Sequence, residues 1–313
     1  MNGLDHSTEN MVPLPKPQMP PMVILVLLIL AAFIGVLIGG ALVYGYSSSV
    51  GLELGTALSE LDKNSPRHIR DFARIVNMIS HFFAFTIPAL TVAVLLFRSR
   101  WLAFLKLDKY PPIYNLILGI LFILVSFPLA QFTYWLNKQI PLPDWVVQME
   151  TAAEGMIKSL LVMQSPAELF LNLVVMAVLP ALGEELVFRG IVQQQFEKIT
   201  KNGHLAIWIT AIIFSAIHMQ FQGFLPRLAL GAVLGYTFFW TRNLWVPILA
   251  HFIINGMQVV AQYFAAAQLE KMDLDQANQA HWGSTFVSLA LTIGIGYYLW
   301  LRNRTRITEN DKL

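Results

Sequence analysis

Residues 22–46, MVILVLLILAAFIGVLIGGALVYGY, form an apolar run of twenty-five residues without a charge. That is the length an α-helix needs to cross about 30 Å of hydrocarbon. Further runs of this kind follow at Phe72–Phe97, Ile113–Trp135, Ala167–Phe188, Leu205–Met219, Phe224–Trp240, Trp245–Phe264 and Phe286–Leu301. The reading is therefore an all-α, polytopic membrane bundle of about eight transmembrane helices, with Leu205–Met219 as the short one. Composition agrees: the chain is 56% hydrophobic and 13% charged, against roughly 25% charged in a soluble domain.

Lysine and arginine placement sets the expected orientation. Arg98, Arg100, Lys106 and Lys109 follow the second span, Lys198 and Lys201 the fourth, Arg242 the sixth, and Arg302, Arg304, Arg306 and Lys312 form the tail. The positive-inside rule makes these segments cytoplasmic and, with eight spans, puts both termini there. Asp144, Glu150 and Glu154 in one opposite loop and Glu270, Asp273 and Asp275 in another fit this; Lys63, Arg67 and Arg70 do not. The expected location is the cell (inner) membrane of a bacterium. The lipid bilayer is then the first partner, and no basic patch invites nucleic acid.

Residues 1–21 lack a basic start and a small-residue cleavage site, and their prolines suit a mobile arm. Residues 22–165 read as an N-terminal region of three spans, 166–265 as a core of four, and 266–313 as an outer loop, a last span and a basic tail. The absence of cysteine removes thiol catalysis, thiolate metal sites and disulfides. Leu142–Leu161 reads as an amphipathic surface helix on the outer face or a plain loop. The aromatics Tyr236, Phe238, Phe239, Trp240 and Trp245 read as interfacial anchors of helix ends.

The chemistry is concentrated in 166–265. Ser165-Pro166 is an N-cap followed by proline at the first helical position, opening a helix through Gln195. Pro180 sits inside it, where a proline kinks the helix and frees backbone groups to line a polar cavity. Four residues on come Glu184 and Glu185, then Arg189. Charges at membrane depth cost about 2.5–3.5 kcal/mol each, so these three must face protein or water. Glu185 and Arg189 are an i,i+4 pair that leaves Glu184 free to accept a proton. Taken alone, the three also suit a charge cluster at a helix end.

Phe214 and His218 stand four apart on the next helix, and His251 and Asn255 share one face of a later span. His81 in the second span has no companion at helical spacing and is read as a packing histidine outside the site. Depth is a difficulty. Glu184 is expected near the inner end of its span and His251 about 9 Å inside its own. His218 then lies about 20 Å from the start of a helix opening at Leu205.

The ordered set Glu184-Glu185-xxx-Arg189, Phe214-xxx-His218 and His251-xxx-Asn255 resembles the signature of the CPBP family of intramembrane proteases. That family includes the type II CAAX prenyl endopeptidases and bacteriocin-immunity relatives. The resemblance covers about a third of the chain. It implies an endopeptidase acting on a lipidated or membrane-embedded peptide. Glu184 would be the general base, His218 would orient the water, and His251 with Asn255 would stabilise the oxyanion, with Glu185, Arg189 and Phe214 supporting. A metalloprotease version would place Zn on His218, His251 and Glu184; no HExxH motif is present, so a thermolysin-like zinc site is excluded.

Two other classes compete. A proton- or ion-coupled transporter would also use buried carboxylates and histidines, but would show inverted repeats and broken helices in both halves, and neither is legible. A non-catalytic immunity or scaffold protein would have no need to keep costly buried charges.

Overall fold

The computed structural model of the chain describes residues 19–269 and 282–310. Most of the proline-rich arm, the acidic Glu270, Asp273 and Asp275 and the tail residue Lys312 lie outside the described residues.

Among the described residues there are ten helices and no strand: α1 Pro21–Val50, α2 Leu54–Ser59, α3 Arg67–Phe104, α4 Ile113–Lys138, α5 Asp144–Leu160, α6 Pro166–Thr200, α7 Gly203–Ala216, α8 Phe224–Thr241, α9 Trp245–Leu269 and α10 Trp282–Asn310. A helix stands at each of the eight expected places. Six, namely α1, α3, α4, α6, α9 and α10, are long and apolar enough to cross a membrane. The 14-residue α7 reaches only about 21 Å, and α8 carries Pro226 and Arg227 in its first turn. The stretch left between helix and loop is the helix α5, which buries Val146 and Leu160.

Helix α6 occupies the centre, packed by α3, α7, α8 and α9, while α4 packs against α8, α9 and α10, and α1 against α3. The core lies along these contacts, and lipid takes the other faces. On α1 the buried positions are Ile24, Leu28, Gly35, Gly39, Val43 and Ser47, a single stripe at helical spacing. The opposite face exposes Ile29, Phe33, Leu37 and Tyr44, as a hydrocarbon solvent demands.

Both long helices around the site change pitch. A π turn, Phe82–Thr86, precedes Pro88 in α3, and another, Val174–Val178, precedes Pro180 in α6. Proline lacks an N–H and its ring clashes with the carbonyl four residues back, so a widened turn absorbs the misfit. A third π turn, Phe188–Gln193, follows the two glutamates. Pro128 does similar work in α4: Ser288 of α10 accepts from Leu129 N–H at 3.0 Å and donates to the Val125 carbonyl. The serine stands between two groups an unbroken helix would pair with each other.

The arginines that dissented from the charge rule are not free loop charges. Arg70 donates to Glu168 at 2.9 Å, and Arg74 donates to Glu168 at 3.0 Å, to Asn172 at 3.0 Å and to the Leu160 and Val162 carbonyls. Arg70, Arg74 and Glu168 are all buried. The clasp joins α3, the end of α5 and the start of α6, where Ser165 caps the helix by accepting from Glu168 N–H. Exposed Arg67 pairs with Asp71. The aromatic stretch is a second correction. Phe238 and Phe239 are buried, Phe238 in the central core, because α8 packs on several helices rather than ending at an interface.

Close helix approach depends on small residues. A Cβ at Gly35 would meet the Phe83 carbonyl oxygen at 2.0 Å, and one at Gly39 would meet Phe83 Cβ at 2.9 Å, whereas one at Gly40 would meet nothing within 4 Å. Gly35→Ala is therefore expected to destabilise the detergent-solubilised protein by about 1–3 kcal/mol through overpacking. Gly40→Ala leaves the thermal midpoint within error; equal midpoints for both variants would refute this packing.

Candidate active site

The site is built at the middle of α6. The helix runs on to Thr200, so Glu184 stands sixteen residues, roughly 24 Å, from its end rather than near it. Helix α7 starts at Gly203, three residues after Thr200, and His218 lies fifteen residues further along. The two arms of this antiparallel hairpin bring Glu184 and His218 to one level, which removes the mismatch of depth. The expected inner-end placement of Glu184 fails because the helix continues past Phe188 through its third π turn.

Glu184 and Glu185 are both buried, and they have different surroundings. Glu185 Oε1 accepts from Arg189 Nη1 at 2.7 Å and from His251 Nδ1 at 2.9 Å. A carboxylate held by arginine only accepts, so His251 is the donor there and carries its proton on Nδ1. His251 Nε2 is thereby aimed at Glu184, 4.0 Å from Oε2. The other oxygen of Glu184, Oε1, lies 3.2 Å from Nε2 of His81 on α3.

His81 is the site residue that the sequence reading left out. Its partner is across a helix interface and not at i,i+4, so spacing along its own helix has no bearing on it. The available signal was Pro88, which marks an irregular turn just after the histidine. Gly183 makes the contact sterically feasible: a Cβ there would meet Thr86 Oγ1 at 2.8 Å, Phe85 Cβ at 3.0 Å and His81 Cε1 at 3.2 Å.

Phe214 is the hub of the second motif. Its carbonyl accepts from His218 Nδ1 at 2.7 Å, which directs His218 Nε2 away from the helix. Its ring packs edge-on against His218 and Phe188, both at 5.1 Å, and against His251 at 6.4 Å, and lies 5.1 Å from the Arg189 guanidinium. His218 forms no ion pair within 4 Å among the described residues, yet is close enough for the charges of Glu184, Arg227 and His251 to act on it. Asn255, one turn beyond His251, is partly buried, and its side chain has no hydrogen-bond partner among the described residues.

Arg189 ties this cluster to α8. Its Nη2 donates to the Gly231 carbonyl at 2.7 Å, and Gln193 Nε2, one turn on, donates to the Gly235 carbonyl at 3.0 Å. Two i,i+4 side chains on α6 thus meet two i,i+4 carbonyls on α8. Gly235 permits the approach, since a Cβ there would meet Gln193 Oε1 at 3.1 Å, and both glycines also admit α7, whose Phe214 ring a Cβ at Gly231 would meet at 3.1 Å and whose Ile207 one at Gly235 would meet at 2.8 Å.

His81 Nδ1, Thr86 Oγ1, Glu185 Oε2 and Arg189 Nε are buried without a protein partner, so the cluster retains hydrogen-bonding capacity. The sequence-derived residues Glu184, Glu185, Arg189, Phe214 and His251 are in mutual contact, with His218 adjoining them through Phe214. A metal is a different matter. Among the described residues, no three histidine, aspartate or glutamate side chains converge closely enough to hold an ion. The set Glu184, His218 and His251 therefore does not fit a zinc site as it stands.

The model of the family described as "Type II CAAX prenyl endopeptidase Rce1-like" matches residues 166–257. Three curated bacterial proteins are similar over part of the chain. The uncharacterised YpbD of Bacillus subtilis is 30% identical over 106 residues, 33% of this chain and 51% of its own length. YdiL of Bacillus subtilis, provisionally named a membrane peptidase, is 29% identical over 29% of this chain and 37% of its own. The membrane-embedded CAAX protease MroQ of Staphylococcus aureus is 29% identical over 30% and 40%. The chain spans about half, or less, of the length of these relatives. No solved structure matches. Residues 166–257, the stretch carrying Glu184, His218, His251 and Asn255, are thus similar to the Rce1-like type II CAAX prenyl endopeptidases.

Proposed function

We propose that the chain is an intramembrane endopeptidase of the CAAX type, hydrolysing a peptide bond in a lipidated or membrane-embedded substrate through a glutamate-activated water. The observation that carries this is the unequal pair of carboxylates. Glu185 is neutralised by Arg189, while Glu184 is faced by imidazoles from α3 and α9, with that of His218 nearby.

In this reading Glu184 takes a proton from water as its oxygen attacks the scissile carbonyl carbon. A carboxylate in a water-poor site is the stronger base for that step. The carbonyl becomes an oxyanion, for which His251 Nε2, when protonated, and the Asn255 amide are the proposed donors. Collapse breaks the C–N bond, and Glu184 passes its proton to the departing amine. His218 orients the water with Nε2. His81 is a positioning residue that fixes the Glu184 carboxylate, and Glu185 holds His251 in its tautomer. No step is routed through a metal.

The test is cleavage in proteoliposomes of S-farnesylated peptides with a free C-terminus, together with mass spectrometry of membrane-protein C-termini from cells carrying each variant. Glu184→Gln and His218→Ala are expected to lower kcat by about 10²–10⁴ with an unchanged thermal midpoint. Full activity in both refutes the proposal. His81→Gln retains a donor and more of the rate than His81→Ala, with little change in KM. Arg189→Ala behaves differently: it strands Glu185 as a buried charge and destabilises the fold by about 3–5 kcal/mol, read by thermal unfolding. Treatment with a zinc chelator followed by desalting leaves the rate unchanged.

A further inference from the structure

The arginines packed into the helix bundle answer to carboxylates, with one exception. Arg70 and Arg74 reach Glu168, Arg189 reaches Glu185, and Arg242 reaches Glu197. Arg227, half-buried in the first turn of α8, forms no ion pair among the described residues. Its guanidinium instead donates to a neutral partner, with Nη1 and Nη2 at 2.9 and 2.8 Å from Gln220 Oε1 and Nη2 also at 3.2 Å from the Gln220 carbonyl. Its Nε is buried without a protein partner. A cation in such surroundings is costly unless it is used.

Its place says for what. Its guanidinium is bonded to Gln220, two residues beyond His218, with Glu150 and, after it, Glu184 as the carboxylates whose charges act on it. It lies across the turn that leads out of His218, where Ile217, Met219 and Phe221 are exposed. The seat is shaped for it: a Cβ at Gly223 would fall 2.3 Å from Nη2 and 2.6 Å from Cζ. Gln220 fixes the plane of the guanidinium from one side and adds no opposing charge.

We propose that Arg227 is the anion subsite of the peptidase, binding the free C-terminal carboxylate of the substrate a short distance beyond the bond that Glu184 attacks. A planar guanidinium matches a carboxylate in a two-bond fork, which lysine cannot reproduce. Such a subsite would favour a chain end over an internal peptide bond. It rests on the peptidase reading above, and it deepens that reading by naming the end of the substrate that is recognised.

Binding separates this idea from catalysis. Glu184→Gln protein in phosphatidylcholine nanodiscs is titrated with a fluorescent S-farnesylated peptide ending in a free carboxylate, and with the same peptide ending in an amide. The acid is expected to bind about ten- to a hundredfold tighter than the amide, the range of a charged hydrogen bond. Adding Arg227→Gln removes that difference, and Arg227→Lys restores part of it. Gly223→Ala, which displaces the guanidinium without deleting it, also weakens acid binding alone. Equal loss of both peptides on Arg227→Gln, or an acid preference that survives it, overturns the proposal. So does an Arg227 effect that appears only when phosphatidylglycerol replaces phosphatidylcholine, which would assign the arginine to a lipid headgroup. Cleavage by the Glu184-intact protein is scored separately; its absence alongside an Arg227-dependent acid preference would count against the peptidase reading and leave the subsite standing.

Discussion

Glu185 and Arg189 form an ion pair from which water is excluded on both sides, and the remainder of the bundle is arranged to tolerate it. Two adjacent carboxylates in a low-dielectric interior repel each other, and neither is fully solvated. A guanidinium one helical turn away removes one of the charges. The guanidinium's own remaining donors must then be met, and the Gly231 carbonyl of α8 meets one of them. Glycine at 235 leaves room for Gln193 of α6, glycine at 231 leaves room for Phe214 of α7, and the Phe214 ring lies against the arginine. His251 completes the arrangement by taking the same Glu185 oxygen. Packing, polarity and histidine orientation all follow from one buried charge and its compensation.

Glu184 is left with a distinct environment because it points to the neighbouring sector of α6. There it meets α3, brought close by Gly183 and given an irregular pitch by the π turn before Pro88. The prolines of α3 and α6 lie in the same relation to their π turns, so both helices depart from regular geometry at the level where they touch. Departures of this kind are frequent at functional sites because they re-aim side chains without ending the helix. The short α7 contributes in another way. By stopping at Ala216 it lets the chain turn, and His218 sits in that turn against Phe214.

Far from this cluster, the clasp of Arg70, Arg74, Glu168 and Asn172 holds α3, α5 and α6 in register. Its two arginines face two carboxylates once Asp71, which accepts from Arg74 Nη1 at 2.7 Å, is included, and further bonds run to the Ser65, Leu160 and Val162 carbonyls, which suits a structural pin. The buried amide pair of Asn115 and Asn303 joins α4 and α10 in the same manner, each side chain donating to the other at 3.2 and 3.1 Å. In a solvent of hydrocarbon, apolar surface distinguishes poorly between one helix neighbour and another, so polar pairs and small residues set who packs with whom.

The membrane class, the places of the helices and the polar residues of α6, α7 and α9 were legible in the sequence, because apolar run length and i,i+4 spacing are properties of a single helix. The cap at Ser165, the pairing of Glu185 with Arg189 and the bond from His218 to the Phe214 carbonyl are of that kind. What only the tertiary structure decided lies between helices. Arg70 looked like a stray loop charge until Glu168, almost a hundred residues on, was placed against it. Phe238 looked like an anchor until its neighbours buried it. His81 looked like packing until Gly183 brought it to Glu184, because a side chain's partner across an interface leaves no period in the chain that carries it.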